Sequence, residues 1–150
     1  LSLSTLALLG SGSANAIFRA YLSSAGSDAN PCTLPAPCRL MPAALAAVDA
    51  GGEIWMLDSA NFNTATVVIN KSVTIVAIPG ALGSIVGNGG DAIQIATPGI
   101  DVTLQNLNIL KLSGDGDGIK VSDAGKVLVK GCSIFGFSSA GFGGIRTTGT

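Results

Sequence analysis

The sequence predicts an all-β chain, a right-handed parallel β-helix (a solenoid of about 26 residues per coil) with a short N-terminal capping helix. Three observations predict it. First, Val67, Ile93, Ile119 and Ile145 recur at intervals of 26, and Ile69, Ile95, Val121 and Thr147 keep that interval two residues later. Strand-type alternation therefore runs inside a longer period. Second, a register one residue shorter links Leu104 to Val129, Leu107 to Cys132 and Ile109 to Ile134. Third, glycines 89, 90, 114, 116, 118, 141, 143 and 144 gather ahead of the same strand in each repeat, where the chain turns a corner. Such short strands bury too little surface alone, so neighbouring repeats must stack to complete a core. A leucine-rich repeat is the competing solenoid, and "LQNLNILKL" supplies the first half of its motif. Its Asn place, however, holds Leu112 in one repeat and Phe137 in the next, and no helix-forming segment completes the unit.

Taken in order, residues 1–16 within "LSLSTLALLGSGSANAIF" read as the remnant of a secretory signal peptide, with small residues around a cleavage point after Ala16. The alternative is a buried first strand. Leu3 to Leu9 is too short to span a bilayer, which takes about 20 apolar residues, and no transmembrane segment is expected further on. Residues 17–52 form the entry segment. In it Cys32 and Cys38 stand in "NPCTLPAPCRL", a Pro-rich loop. An exported chain would oxidise this pair to a disulfide, a reduced compartment would leave two free thiols, and a zinc site lacks a third ligand nearby. From Pro42 to Gly51, "PAALAAVDAG" predicts a short helix with Ala44, Leu45 and Val48 on its apolar face. Residues 53–150 are the coils, opening with "EIWML", "TVVIN" and "VTIVAI" as strands. Cys132 belongs to an alternating apolar run and is expected to be buried and inert. The sequence stops at "GIRTTGT", one strand into a coil, so further coils are expected beyond Thr150.

Composition narrows the function. Hydrophobic residues make up 47% and charged residues 11%, a balance that demands a dry interior. With eight Lys and Arg against nine Asp and Glu, the net charge of -1 offers no footprint for nucleic acid or an anionic membrane. The chain has no His, which removes the commonest general base and the commonest metal ligand.

The repeat places particular polar residues together. Asp91 and Asp117 lie one period apart before matching strands, and with Asp115 they make an acidic corner. Stacked carboxylates repel unless a cation or donor intervenes, so calcium is a candidate cofactor there; the other reading is a solvated corner of turn-favouring Asp residues. Three residues on, Gln94, Lys120 and Arg146 form an outward column, a candidate ligand-binding face. Asn106 and Asn108 could start an internal Asn ladder, but Gly131 takes the Asn106 place in the next coil. Trp55 reads as packing or as a sugar-stacking platform.

"YLSSAGSDANPCTLPAPCRLMPAALAAVDAGGEIWMLDSANF", Tyr21 to Phe62, resembles the entry segment of pectate-lyase-like right-handed β-helix proteins of bacteria. Leu40 departs from the usual Thr after Arg39, and "ANF" at 60–62 replaces a Gly-x-Tyr turn. The resemblance implies the fold and a helix covering the open end of the first coil. It also implies that enzymatic relatives would be lyases, using calcium on clustered acids with an Arg or Lys base, or hydrolases with several Asp and a Gly-His-Gly. None of those motifs maps onto this chain, which has one Glu and three Arg, two of them in the entry segment. The functional expectation is a secreted, periplasmic or cell-surface protein, non-catalytic over these residues, with a face for polysaccharide or a surface protein. The alternative is a polysaccharide lyase or glycoside hydrolase whose catalytic residues lie in later coils. Self-association through an open C-terminal coil is also expected.

Overall fold

A computed structural model describes residues 16–149, so the signal-peptide expectation for residues 1–16 lies, Ala16 apart, outside the described residues. The entry segment holds β1 (Ile17–Leu22) and α1 (Met41–Ala47). Four coils follow. Their strands are β2 (Val48–Met56), β3 (Ala60–Asn61) and β4 (Val67–Ile69); β5 (Val73–Ala77), β6 (Gly83–Asn88) and β7 (Ile93–Ala96); β8 (Asp101–Gln105), β9 (Leu107–Ser113) and β10 (Ile119–Asp123); and β11 (Lys126–Lys130), β12 (Ser133–Phe135) and β13 (Ile145–Thr147). β1 pairs in parallel with β2, and from β2 on each strand pairs in parallel with the strand three later. The result is three sheets, β1-β2-β5-β8-β11, β3-β6-β9-β12 and β4-β7-β10-β13, wound into a parallel β-solenoid of about 25 residues per coil.

The registers expected from the sequence are those of the third and first sheets. In the third, Val67, Ile93, Ile119 and Ile145 are successive Cα partners, each interval 26. In the first, Leu104 faces Val129, but Ile54, Ile75 and Leu104 follow at intervals of 21 and 29, so the first-sheet spacing varies while the third-sheet spacing holds. Slack is taken up in the corners. Inward side chains then form columns: Ile54, Ile75 and Leu104 are buried, as are Ile69 with Ile95 and Ile85 with Ile109. Each such side chain contributes about 1.5–3 kcal/mol by leaving water. In the last coil burial thins: β11 to β13 contain no buried residue, and Ile145 is 51% exposed.

Two expectations are corrected here. The helix ends at Ala47 rather than running to Gly51, because Val48 is already extended (ψ 143°) and pairs with Ile17 of β1, giving residues 48–52 to the first sheet. Its face is as expected, with Ala44, Leu45 and Val48 buried. Leu40 supplies no side-chain cap; Asp28 Oδ1 instead accepts the Arg39 and Leu40 N–H groups at 2.9 and 2.8 Å. Cys132 is only half-buried, although it packs against the core.

The Asn question also resolves. Asn106 sits at φ 57° and Gly131 at φ 61°, the same left-handed corner in successive coils, which Asn and Gly tolerate and β-branched residues resist. Asn106 Nδ2 donates to the Ala77 carbonyl of the coil below at 3.4 Å. A stronger internal rung is Asn63, which is buried; its Oδ1 accepts the Val86 N–H at 2.8 Å and its Nδ2 donates to the Val86 carbonyl at 2.8 Å. The residue Asn63 bonds in the next coil is Val86, 23 residues on, an interval shorter than the 25- and 26-residue repeats of the sequence.

Cys32 and Cys38 are disulfide-bonded and buried, and the Tyr21 and Cys38 backbones exchange contacts beside the bridge (Cys38 N–H to Tyr21 O, 2.9 Å). Under non-reducing conditions only Cys132 should take up an alkylating agent, and only slowly, because burial pushes its thiol pKa up despite the N–H it accepts from Leu107. Replacing both Cys32 and Cys38 by Ser should cost about 2 kcal/mol, the loop-closure estimate for so short a ring. Intact mass with and without reductant, and urea midpoints, check both statements.

Candidate functional site

The corner between the second and third sheets carries the residues singled out by the repeat. Glycines make it narrow: a Cβ on Gly116 would overlap the Gly90 carbonyl, and one on Gly118 would overlap the Gly144 oxygen. The chain can therefore stack corner on corner. Asp91 and Asp117 use this closeness. Asp91 Oδ1 accepts the Asp117 N–H at 2.8 Å, and Asp117 Oδ1 accepts the Gly143 N–H at 2.8 Å, so each acid caps the backbone of the coil that follows.

The remaining carboxylate oxygens face cations from that same coil. Lys120 Nζ lies 3.9 Å from Asp91 Oδ2, and Arg146 Nε lies 3.3 Å from Asp117 Oδ2. Both pairs are 29 residues apart in the chain. Gln94, one period before Lys120, has Ala65 where the acid would stand, and below it the column continues with Val68, so its neutral members are the ones with no acid 29 residues before them to pair with. Acid and cation thus appear together along the ladder. Asp117 is fully buried, whereas Arg146 is partly exposed, with its guanidinium 5.7 Å from the Phe142 ring centre and donating to the Gly141 carbonyl.

Asp115 stands apart. It is largely exposed and pairs with Lys111 at 3.7 Å. The donor set of Asp91, Asp115 and Asp117 does not fit a calcium ion: two oxygens are committed to backbone N–H groups, two face Lys120 and Arg146, and Asp115 does not converge on them. Among the described residues no group of three or more acids, thiols or imidazoles is placed to hold a metal. The sequence brought the two acids to one corner correctly; the cation that separates them is a side chain 29 residues on, a distance the 26-residue comparison does not examine.

Trp55 lies on the outward face of the first sheet, where Tyr21, Trp55, Val76, Gln105 and Lys130 form one column and Arg19, Glu53, Thr74, Thr103 and Leu128 another. Its Nε1 donates to Glu53 Oε2 at 2.9 Å, and the Arg19 guanidinium covers its ring at 4.3 Å while pairing with Glu53 at 2.7 Å. The hydrogen bond to Glu53 raises the Arg19 pKa and keeps the pair charged. One ring face is thus engaged within the protein. A cavity of about 720 Å³ lies inside the last coil, lined by Val121, Ala124, Val127, Val129, Ile145 and Thr147. Among the described residues no helix is long and apolar enough to cross a membrane. No family model, curated protein or solved structure matches this chain.

Arg146→Gln would leave Asp117 buried without its cation and should cost about 2–3 kcal/mol, less than a fully buried pair because Arg146 is partly exposed. Adding Asp117→Asn should recover about 1 kcal/mol or more of that sum, which a double-mutant cycle of urea midpoints reads directly. Asp58 supplies a pH test. Burial alone would raise its carboxyl, but hydrogen bonds from the Ser24 N–H and the Ser23 and Ser24 hydroxyls, with the Arg39 charge, outweigh this and hold it below the usual carboxylate range. A depressed folded value stabilises above the unfolded one and is lost as pH falls through the folded one. Asp58→Asn should therefore destabilise at pH near 7, with the difference shrinking below about pH 4.

Proposed function

We propose that this chain is an exported, non-catalytic β-solenoid that binds an extended glycan or protein chain along its outward columns. The observation that carries the non-catalytic part is the ladder: Asp91, Asp117, Lys120 and Arg146, the acids and bases nearest each other, are engaged with one another and with backbone N–H groups. A general base needs a free lone pair within reach of substrate; Asp117 Oδ2 makes no hydrogen bond, but it is fully buried against the Arg146 guanidinium and so out of a substrate's reach. The disulfide supports export, since such bonds persist in oxidising compartments. The likeness of Tyr21 to Phe62 to pectate-lyase-like entry segments supports an acidic polysaccharide as the first ligand to try.

The first sheet is the better binding face. It is the widest of the three, and its outward residues repeat at the strand spacing of about 4.8 Å, so a linear polymer laid across the strands meets similar groups at each coil. Trp55, Gln105, Thr74 and Thr103 supply the apolar body and hydrogen-bonding groups such a ligand uses. On the third sheet Lys120 and Arg146 are neutralised by their acids, leaving Gln94 and Val68 as the uncharged members of that column.

Affinity electrophoresis through gels containing polygalacturonate, with ultraviolet detection of unsaturated product, tests both halves. Retardation lost on Gln105→Ala with Trp55→Ala, and no product with or without calcium, is the expected result. Product formation that disappears with Lys120→Ala or Arg146→Ala would instead make this chain an enzyme.

A further inference from the structure

The connection from β12 to β13 spans residues 136–144, nine residues, where β6 to β7 takes four and β9 to β10 takes five. Within it Phe137 is 7% exposed, although the equivalent place in the coil below, Leu112, is 65% exposed. The ring has turned inward because room exists for it. A Cβ on Gly87 would come within 2.9 Å of the Phe137 Cε1, and a Cβ on Gly118 within 3.2 Å of its Cδ2, so the ring fills space left by two absent side chains, one in each of the two preceding coils.

The rest of the segment is lightly held. From residue 136 to 142 its backbone bonds are internal, Ser138 N–H to the Gly136 carbonyl and Phe142 N–H to the Ser139 carbonyl, whereas the Gly143 and Gly144 carbonyls already accept the Gly118 and Ile119 N–H groups of the coil below at 3.0 and 2.9 Å. Ahead of Gly143 the hydrogen bond to an earlier coil is a side-chain one, Lys111 Nζ to Ser139 Oγ, and at Gly143 the N–H also donates to Asp117 Oδ1. Gly136 at φ 88° and Gly141 at φ 83° mark its two bends.

We propose that residues 136–142 are a strap that opens as a unit while the first three coils stay folded, with Phe137 as its plug in a glycine-floored socket. Local opening units are those with few buried apolar contacts and few ladder hydrogen bonds, and here one ring supplies most of the burial. Opening uncovers a slot the width of an aromatic ring beside the buried Asp117. This proposal is independent of any ligand for the first sheet.

Hydrogen exchange followed by mass spectrometry on the 150-residue chain tests it. The amides of 136–142 should exchange well before those of β7, β9 and β10. Phe137→Ala should speed the strap by roughly tenfold or more, the scale of one lost buried ring, without changing those three strands. Gly87→Ala, which crowds the ring, should also speed the strap, and with Phe137→Ala added the two effects should fall short of their sum because the ring they share is gone. Phe137→Ala accelerating β7 and β10 equally would make Phe137 part of one cooperative core and overturn the proposal. So would an unchanged strap, or full additivity of the two substitutions.

Discussion

In the coils each strand's backbone N–H and C=O groups are satisfied by strands three places away in the chain, and everything else in this molecule is arranged around that constraint. A parallel ladder tolerates no slip, because a one-residue shift would turn Ile93 or Ile119 outward and Gln94 or Lys120 into the core. The three strand places of a coil are therefore fixed, and sequence freedom moves to the corners. This explains why the third-sheet interval stays at 26 while the first-sheet interval ranges from 21 to 29.

Charges obey the same register. Stacking places Asp117 directly after Asp91, an arrangement that would repel if each acid met only its like. Instead each carboxylate is spent on the next coil, one oxygen on a backbone N–H and the other on a Lys or Arg, which neutralises the corner without an added ion. The entry segment uses carboxylates in a similar way. Asp28 satisfies N–H groups ahead of α1 and Asp58 holds the Ser23–Ser24 turn, while the disulfide limits the freedom of the loop between them.

The solenoid and its registers were legible in the sequence because β-branched residues recur where strands stack, a signal that survives variation between them. The helix boundary was not legible beyond Ala47: "VDAGG" suits a helix end by composition, and only the pairing of Val48 with β1 makes it strand. Asn63 and the Asp–cation pairs escaped because they reach between coils at intervals of 23 and 29, other than the repeat. The acids' position was read correctly and their partners were not. Phe137 shows the same limit, since its burial depends on Gly87 and Gly118, two positions whose significance is the absence of a side chain.

In-register stacking is the claim on which the rest depends, and paired cysteines measure it most directly. Thr103 and Leu128 are Cα partners on the outward face of the first sheet, within disulfide reach, while Thr103 and Lys130 are a diagonal pair beyond about 7 Å. In a Cys132→Ser background, Thr103→Cys with Leu128→Cys should oxidise readily to a new bridge, and Thr103→Cys with Lys130→Cys should remain reduced under the same conditions. Preferential bridging of the second pair would contradict the register and, with it, the column geometry described above.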